Sequence, residues 1–348
     1  MISMCNIAGY IGTHPAAPIL IEMMRREEGW AGGHYTGIAT LSEGEMHYAK
    51  LTGALEHLLQ NTDAASLPGN AGILHSRSPS GGDDEWAHPF VGEQNGKPIT
   101  AYVANGTIGI FKSQMQKAGI LAAQLENEGY VFHSRTPGAV SHYPMLPDGA
   151  CVHMSDVMAQ LITSKIQKGN AADKAMNDSF CQLPSEIVGL LLSLAEPESI
   201  AWSRINMPMF IAFAPHGAYL CSTPQALPKD AGAPLLLPTC SGGRVYRDHF
   251  TAAPYAEPPA HVAPLSARLV SDAYILFEKT LLEGTRSMQE LCKLLAPLLS
   301  GADCDQTDAL IYHLLYSFQQ EGRLITESRA LPGSREGITA PHFFARLR

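Results

Sequence analysis

A cysteine at position 5 directly follows Met4, and this pair is the first place in the sequence where chemistry could start. A thiolate is a good nucleophile once a base has removed its proton. A cysteine at a chain's N-terminus carries such a base in its own α-amino group, which titrates near neutrality. Trimming of a leading methionine would expose Cys5 if translation starts at Met4. While Met1 to Met4 remain attached, that nitrogen belongs to a peptide bond and the base does not exist. The plain alternative is a buried strand cysteine. Three further groups stand downstream: Arg77, Ala87-His88-Pro89 and Asn105-Gly106. Taken alone, Arg77 reads as a loop cap or a partner for Asp83 or Asp84. His88-Pro89 reads as a structural loop, and Asn105-Gly106 as a turn dipeptide.

The whole chain bounds the chemistry. Its 348 residues are 45% hydrophobic and 16% charged, enough for a sizeable core. The net charge of -9 argues against nucleic acid as a partner and gives no reason to expect an anionic membrane surface. No apolar run has the length of a transmembrane helix, and the first residues lack the pattern of a signal peptide. Seven cysteines without Cys-x-x-Cys spacing fit reduced thiols in a cytoplasmic protein. The scattered histidines suggest no metal site, and nothing calls for a cofactor. Ser80-Gly-Gly82 and Ser241-Gly-Gly243 lack the lysine of a phosphate-binding loop.

The elements that must position these residues follow from periodicity. Residues 5–12 read as a strand, and 15–28 as a helix with apolar Ile19, Leu20, Met23 and Met24. Residues 37–41 and 46–50 form a hairpin, and 51–61 a short helix. A strand at 72–76 leads into a Pro/Gly/Asp-rich loop. Another at 100–104 is expected to break at Asn105-Gly106. Residues 153–168 and 184–194 read as buried helices, with β-rich stretches at 208–222 and 234–246. Residues 252–264 are rich in proline and read as a linker or strap. Beyond it, 265–299 and 306–322 are helical in pattern, the second ending at Gly322 and entering a strand. A part of a winged helix, a packing appendage and the surface of a homo-oligomer all remain open for this region.

Several motifs in order carry a resemblance. Met4-Cys-Asn-Ile-Ala-Gly-Tyr-Ile-Gly12 is similar to the opening Met-Cys-Gly-Ile-Val-Gly-Tyr-Ile-Gly of the glucosamine-6-phosphate synthase family. The match continues through Gly37-Ile-Ala39, Arg77, Ala87-His88-Pro89 and Asn105-Gly106, with a weaker echo at Leu220-Cys-Ser-Thr-Pro-Gln-Ala-Leu227. Over roughly the first 250 residues the chain thus resembles the glutaminase domain of class II glutamine amidotransferases. The resemblance implies an α+β fold, a four-layer α/β/β/α N-terminal-nucleophile hydrolase sandwich over 1–255; beyond it, the residue pattern reads 256–348 as a helical C-terminal region of unknown role. The resemblance implies that Cys5 attacks the side-chain amide of glutamine or a related small amide. Asn105 (side chain) and Gly106 (backbone N–H) would form the oxyanion hole. Arg77 would clamp the substrate α-carboxylate, and His88 would line the pocket. The ammonia would pass to a separate synthase partner.

The sequence also departs from that family. Asn6 replaces a glycine and is expected to set a side chain beside the nucleophile. Arg77-Ser-Pro-Ser-Gly-Gly82 replaces Arg-Trp-Ala-Thr-His-Gly. Met154 takes the place of the aspartate that holds the substrate ammonium, and only a shift of two residues would put Asp156 there. Hydrolysis of another amide by the same thiol, and a retired glutaminase that binds a ligand or partner, are therefore the alternatives to glutamine hydrolysis.

Overall fold

The computed structural model describes residues 5–107, 109–299 and 305–348. Met1 to Met4, on whose removal the Cys5 amine depends, and Cys304 lie outside the described residues. The chain opens on β1 (Asn6–Gly12), which is apolar on both sides and therefore central. It continues through α1 (Ala16–Glu27), β2 (Tyr35–Ser42), β3 (Glu45–Thr52), α2 (Leu55–Asn61) and β4 (Ala71–Arg77). Next come β5 (Phe90–Gln94), β6 (Lys97–Thr107), α3 (Gln114–Asn127), the two-residue β7 (Thr136–Pro137) and β8 (Ala150–Cys151), then α4 (Met154–Gln167) and α5 (Ala172–Gln182). The strands β9 (Glu186–Ser193), β10 (Ile200–Arg204), β11 (Phe210–Ala214), β12 (Gly217–Cys221), β13 (Leu235–Leu236), β14 (Ser241–Val245) and β15 (Ala253–Pro254) follow. The chain ends with α6 (Ala267–Glu283), β16 (Arg286–Ser287), α7 (Met288–Leu295), α8 (Thr307–Gln320), β17 (Leu324–Pro332) and β18 (Thr339–Leu347).

Two large sheets organise these elements. One has the order β13-β11-β12-β1-β4-β2-β3, the other β15-β14-β10-β9-β6-β5, and every pairing in both is antiparallel. Between them lies a core built from Ile7, Ile11, Ile73, Val103, Val188, Leu190 and Trp202. The outer face of the first sheet is covered by α1 and by the C-terminal helices, through Ala8, Tyr10, Leu20, Met24, Phe277, Leu310 and Phe318. The outer face of the second sheet is covered by α3, α4 and α5, through Tyr102, Leu191, Ala118, Val157, Ile162 and Phe180. This is the four-layer α/β/β/α sandwich. Trp202 lies fully buried in the middle, with its Nε1 donating to the Thr251 carbonyl at 3.2 Å. Truncating it to alanine is expected to cost about 3–5 kcal/mol in a denaturant unfolding experiment.

Three expectations need correction. Residues 184–194 form the strand β9, not a helix. β9 is central in its sheet and buried on both faces, so it reads as an unbroken apolar run, which periodicity cannot tell from a buried helix. Asn105-Gly106 does not break β6: the strand runs on to Thr107, paired to β9 at Asn105↔Val188 and Gly106↔Ile187. The region 256–348, expected to be helical, also holds β16, β17 and β18, and nine pairs between β17 and β18 build a hairpin. That hairpin packs back on the loop after α1, with Phe343 edge-on to Trp30 at 5.4 Å and its N–H bonded to the Gly29 carbonyl at 2.6 Å.

Candidate active site

The strand alternation of β1 aims its side chains. Ile7 and Ile11 point between the sheets, and Cys5 falls on their side; Asn6, Ala8 and Tyr10 fall on the other. Cys5 is buried, and its backbone N–H donates to Asn105 Oδ1 across the sandwich at 3.1 Å. Its sulfur lies 3.6 Å from Ser78 Oγ. Burial pushes the thiol's pKa up, while hydrogen bonding from Ser78 and the charge on Arg77 pull it down. Asn6 does not crowd the nucleophile. Its Nδ2 donates to the carbonyls of Glu27 and Ala31, tying β1 to the end of α1.

Asn105 reaches Cys5 because β6 and β1 lie in facing sheets. Its Oδ1 is occupied, but its buried Nδ2 has no partner among the described residues. Such a buried donor costs about 1–3 kcal/mol unless something accepts from it. Beside a nucleophile, a developing oxyanion is the natural acceptor. Gly106 is the next residue on β6. A side chain there would meet the Glu186 carbonyl at 2.3 Å. Gly106→Ala should therefore lower stability by about 1–3 kcal/mol in a thermal melt, through forced backbone shifts.

Arg77 ends β4 and is almost fully buried. Its guanidinium stacks on the Tyr35 ring at 3.8 Å. Nη2 donates to the Gly81 carbonyl at 2.9 Å, and Nη1 to Ser80 Oγ and to Tyr143 Oη at 3.1 Å, with His153 Nε2 at 3.3 Å. It thus braces the 78–82 loop. It pairs with neither Asp83 nor Asp84: Asp83 caps the Glu85 N–H, and Asp84 accepts from Thr52 N–H and Arg335. His88 lies behind this group, stacked on His75 at 3.9 Å and edge-on to His153 at 5.4 Å. Burial, reinforced by Arg77 and the neighbouring rings, holds His88 and His153 well below the usual histidine range. Burial likewise brings His75 down to about 3, with Arg77 adding to it. These rings are neutral at physiological pH. Among the described residues, no group of three or more His, Cys, Asp or Glu side chains is arranged to hold a metal ion.

Behind Arg77, Ser76 Oγ donates to Glu28 Oε1 at 2.8 Å, which also accepts from Leu55 N–H at 2.8 Å and Thr36 Oγ1 at 3.2 Å. Burial raises this carboxyl from 4.5 to about 7, against the lowering by those three bonds. Its folded-state pKa lies above the unfolded one. The unfolded chain therefore ionises first, and stability is lost as pH rises from about 4.5 through about 7. That loss is on the order of 3 kcal/mol. Glu28→Gln should remove this slope, gaining on the parent in unfolding free energy between pH 5 and 8.

The structure brings Cys5, Asn105 and Arg77 together around one point, with Gly106 one residue further along β6 and His88 in the wall behind. Sequence reasoning missed Ser78, Tyr143 and His153. His153 carried one usable signal, its position ahead of Met154-Ser-Asp at a helix start. Tyr143 sits in irregular chain and carried none. Met154 is the first residue of α4 beside His153, and Asp156 is buried against Ser134 N–H, Ser134 Oγ and Gln160 Nε2.

No family model matches the chain. Its curated relatives include the glutamine–fructose-6-phosphate aminotransferase (isomerizing) of Pyrococcus horikoshii, 27% identical over 250 residues, covering 71% of this chain and 37% of the relative. The same enzyme of Synechocystis is 30% identical over 222 residues, covering 63% and 32%. The chain therefore spans about a third of the length of these relatives. Among solved structures, the glutamine phosphoribosylpyrophosphate amidotransferase of B. subtilis, complexed with ADP and GMP, matches with a TM-score of 0.58 at 18% identity, over 80% of this chain and 58% of that one. A structure described as the allosteric regulatory enzyme of purine biosynthesis matches at 0.59 and 17%, over 93% and 66%. The chain is similar in sequence to these aminotransferases and shares the N-terminal-nucleophile fold of class II glutamine amidotransferases. In this amidotransferase fold, Cys5 occupies the start of the central strand. None of its described helices is long and apolar enough to cross a membrane.

Proposed function

We propose that the chain hydrolyses the side-chain amide of glutamine, or of a close relative, with Cys5 as nucleophile. One observation carries the reading: Cys5, at the start of the central strand, gives its backbone N–H to the side-chain carbonyl of Asn105, whose buried amide N–H has no acceptor among the described residues. With Met1 to Met4 removed, the Cys5 α-amine takes the thiol proton and the sulfur attacks the amide carbon. The oxyanion accepts from Asn105 Nδ2 and the Gly106 N–H. Collapse breaks the C–N bond, and the amine's proton leaves with the nitrogen as ammonia. Water then attacks the thioester, releasing the carboxylate and restoring the thiol. Arg77 holds the substrate carboxylate, and His88 shapes the wall behind it.

The ammonia is proposed to serve a separate acceptor enzyme. The relatives' name describes transfer of this nitrogen to a sugar phosphate, and in this chain the acceptor is unassigned. The test is glutamate and ammonia release by the full chain with Cys5 as its N-terminal residue, its mass confirmed. Turnover above that of the Cys5→Ala chain is expected; equal rates in the two would overturn the proposal.

A further inference from the structure

His153 has its tautomer fixed by its neighbours. Its Nδ1 accepts from the Ser155 N–H at 3.0 Å, as the cap of α4, so in the neutral ring the proton is on Nε2. That Nε2–H faces Arg77 Nη1, another donor, at 3.3 Å. Two donors do not bond each other, and both are buried. Among the described residues, Arg77 also forms no ion pair with an acidic side chain. A buried guanidinium and an imidazole N–H converging without an anion are the two halves of a carboxylate site. Tyr143 Oη and Ser80 Oγ, 2.7 Å apart, complete its rim.

The ammonium end of glutamine meets a different environment. Met154, next to His153 at the start of α4, has no charge to offer. Asp156, two residues on, is consumed by Ser134 and Gln160. Asp83 caps its own loop at the Glu85 N–H, and Asp84 accepts from the Thr52 N–H at the end of β3 and from Arg335. The charged or ionisable side chains around the site include Arg77, the cationic Lys50 behind the histidines, Tyr143, and the neutral His75, His88 and His153. A free ammonium here would be desolvated beside a cation, with no carboxylate in return.

We infer that this pocket reads its substrate by the carboxylate alone, through Arg77 and His153, so that its substrate class is ω-amides of dicarboxylic acids without a free α-amino group, such as N-acylglutamine or glutaramate. This rests on the amide hydrolysis proposed above, but binding tests it independently. Calorimetry on the full Cys5→Ala chain should show glutaramate and N-acetylglutamine binding at least about 10-fold more tightly than glutamine. Binding of valeramide, which lacks the carboxylate, should be weaker than that of either. Glutamine binding as tightly as glutaramate, or valeramide binding as tightly as glutaramate, would overturn the inference, whether or not the chain turns over. In the active chain, His153→Asn keeps a side-chain cap for α4 but loses the Nε2–H. It should raise KM for glutaramate about 10- to 100-fold with little change in kcat, and leave valeramide hydrolysis as it was. Met154→Asp should shift preference back towards glutamine. An equal His153→Asn effect on valeramide would assign that residue a purely structural part and remove it from the carboxylate site. Absence of turnover with the binding order intact would sink the hydrolysis reading and leave the specificity standing.

Discussion

Cys5→Ala should reduce amide hydrolysis by at least about 10^4-fold, the scale of loss when a covalent nucleophile is removed from an assembled site. The fold should survive, because the change removes one sulfur from the end of a strand held by two neighbours, β4 and β12. The variant's melting temperature therefore separates lost chemistry from lost structure. Cys5→Ser is the finer control. Serine keeps a nucleophilic atom and the bond to Ser78, but the amine must then activate a far less acidic hydroxyl. Its rate should lie near that of Cys5→Ala and far below that of the parent.

Asn105→Ala should lower kcat by about 10²- to 10³-fold while KM changes little, the signature of a donor used only when charge develops. Steady-state kinetics on the full chain measure both terms. A mainly KM effect would instead place Asn105 in ground-state binding. Stability should change by no more than about 1–2 kcal/mol, since the truncation deletes a buried N–H without a partner but also the carbonyl that accepts from the Cys5 N–H. Taken together, the two variants distinguish the roles: one removes the atom that bonds to the substrate, the other the dipole that steadies the oxygen.

Much of this site was legible because its parts lie on strands of clear period. The Met4–Gly12 segment gave both the nucleophile and the strand that carries it, since alternation in β1 already puts Cys5 and Ile7 on one side. The Asn105-Gly106 pair was found by its order after Arg77 and His88, yet its conformation was misread. As a dipeptide it favours turns, but the pairing of β6 with β9 from Thr100 to Thr107 holds it extended. β9 was misread for a related reason: burial on both faces erases the alternation that marks a strand. Asn6 shows the reverse case. Its neighbour relation to Cys5 in sequence suggested crowding, and the pleat of the strand sends it to the opposite layer. Of the carboxylate site only Arg77 was legible, because Tyr143 comes from irregular chain and His153 acts through a tautomer set by a helix cap. Only coordinates show an Nδ1 already taken and an Nε2 facing a guanidinium.

The central claim is that Cys5 forms the covalent bond. It is tested most directly by acid-quenching the full chain, with Cys5 as its N-terminal residue, during turnover of glutaramate or glutamine. The Cys5-containing peptide is then weighed by mass spectrometry. The account predicts a thioester of the substrate's acyl group on Cys5, present in the parent and missing in Cys5→Ala. Steady turnover that persists in Cys5→Ala, or an acyl group found on another residue, would contradict it.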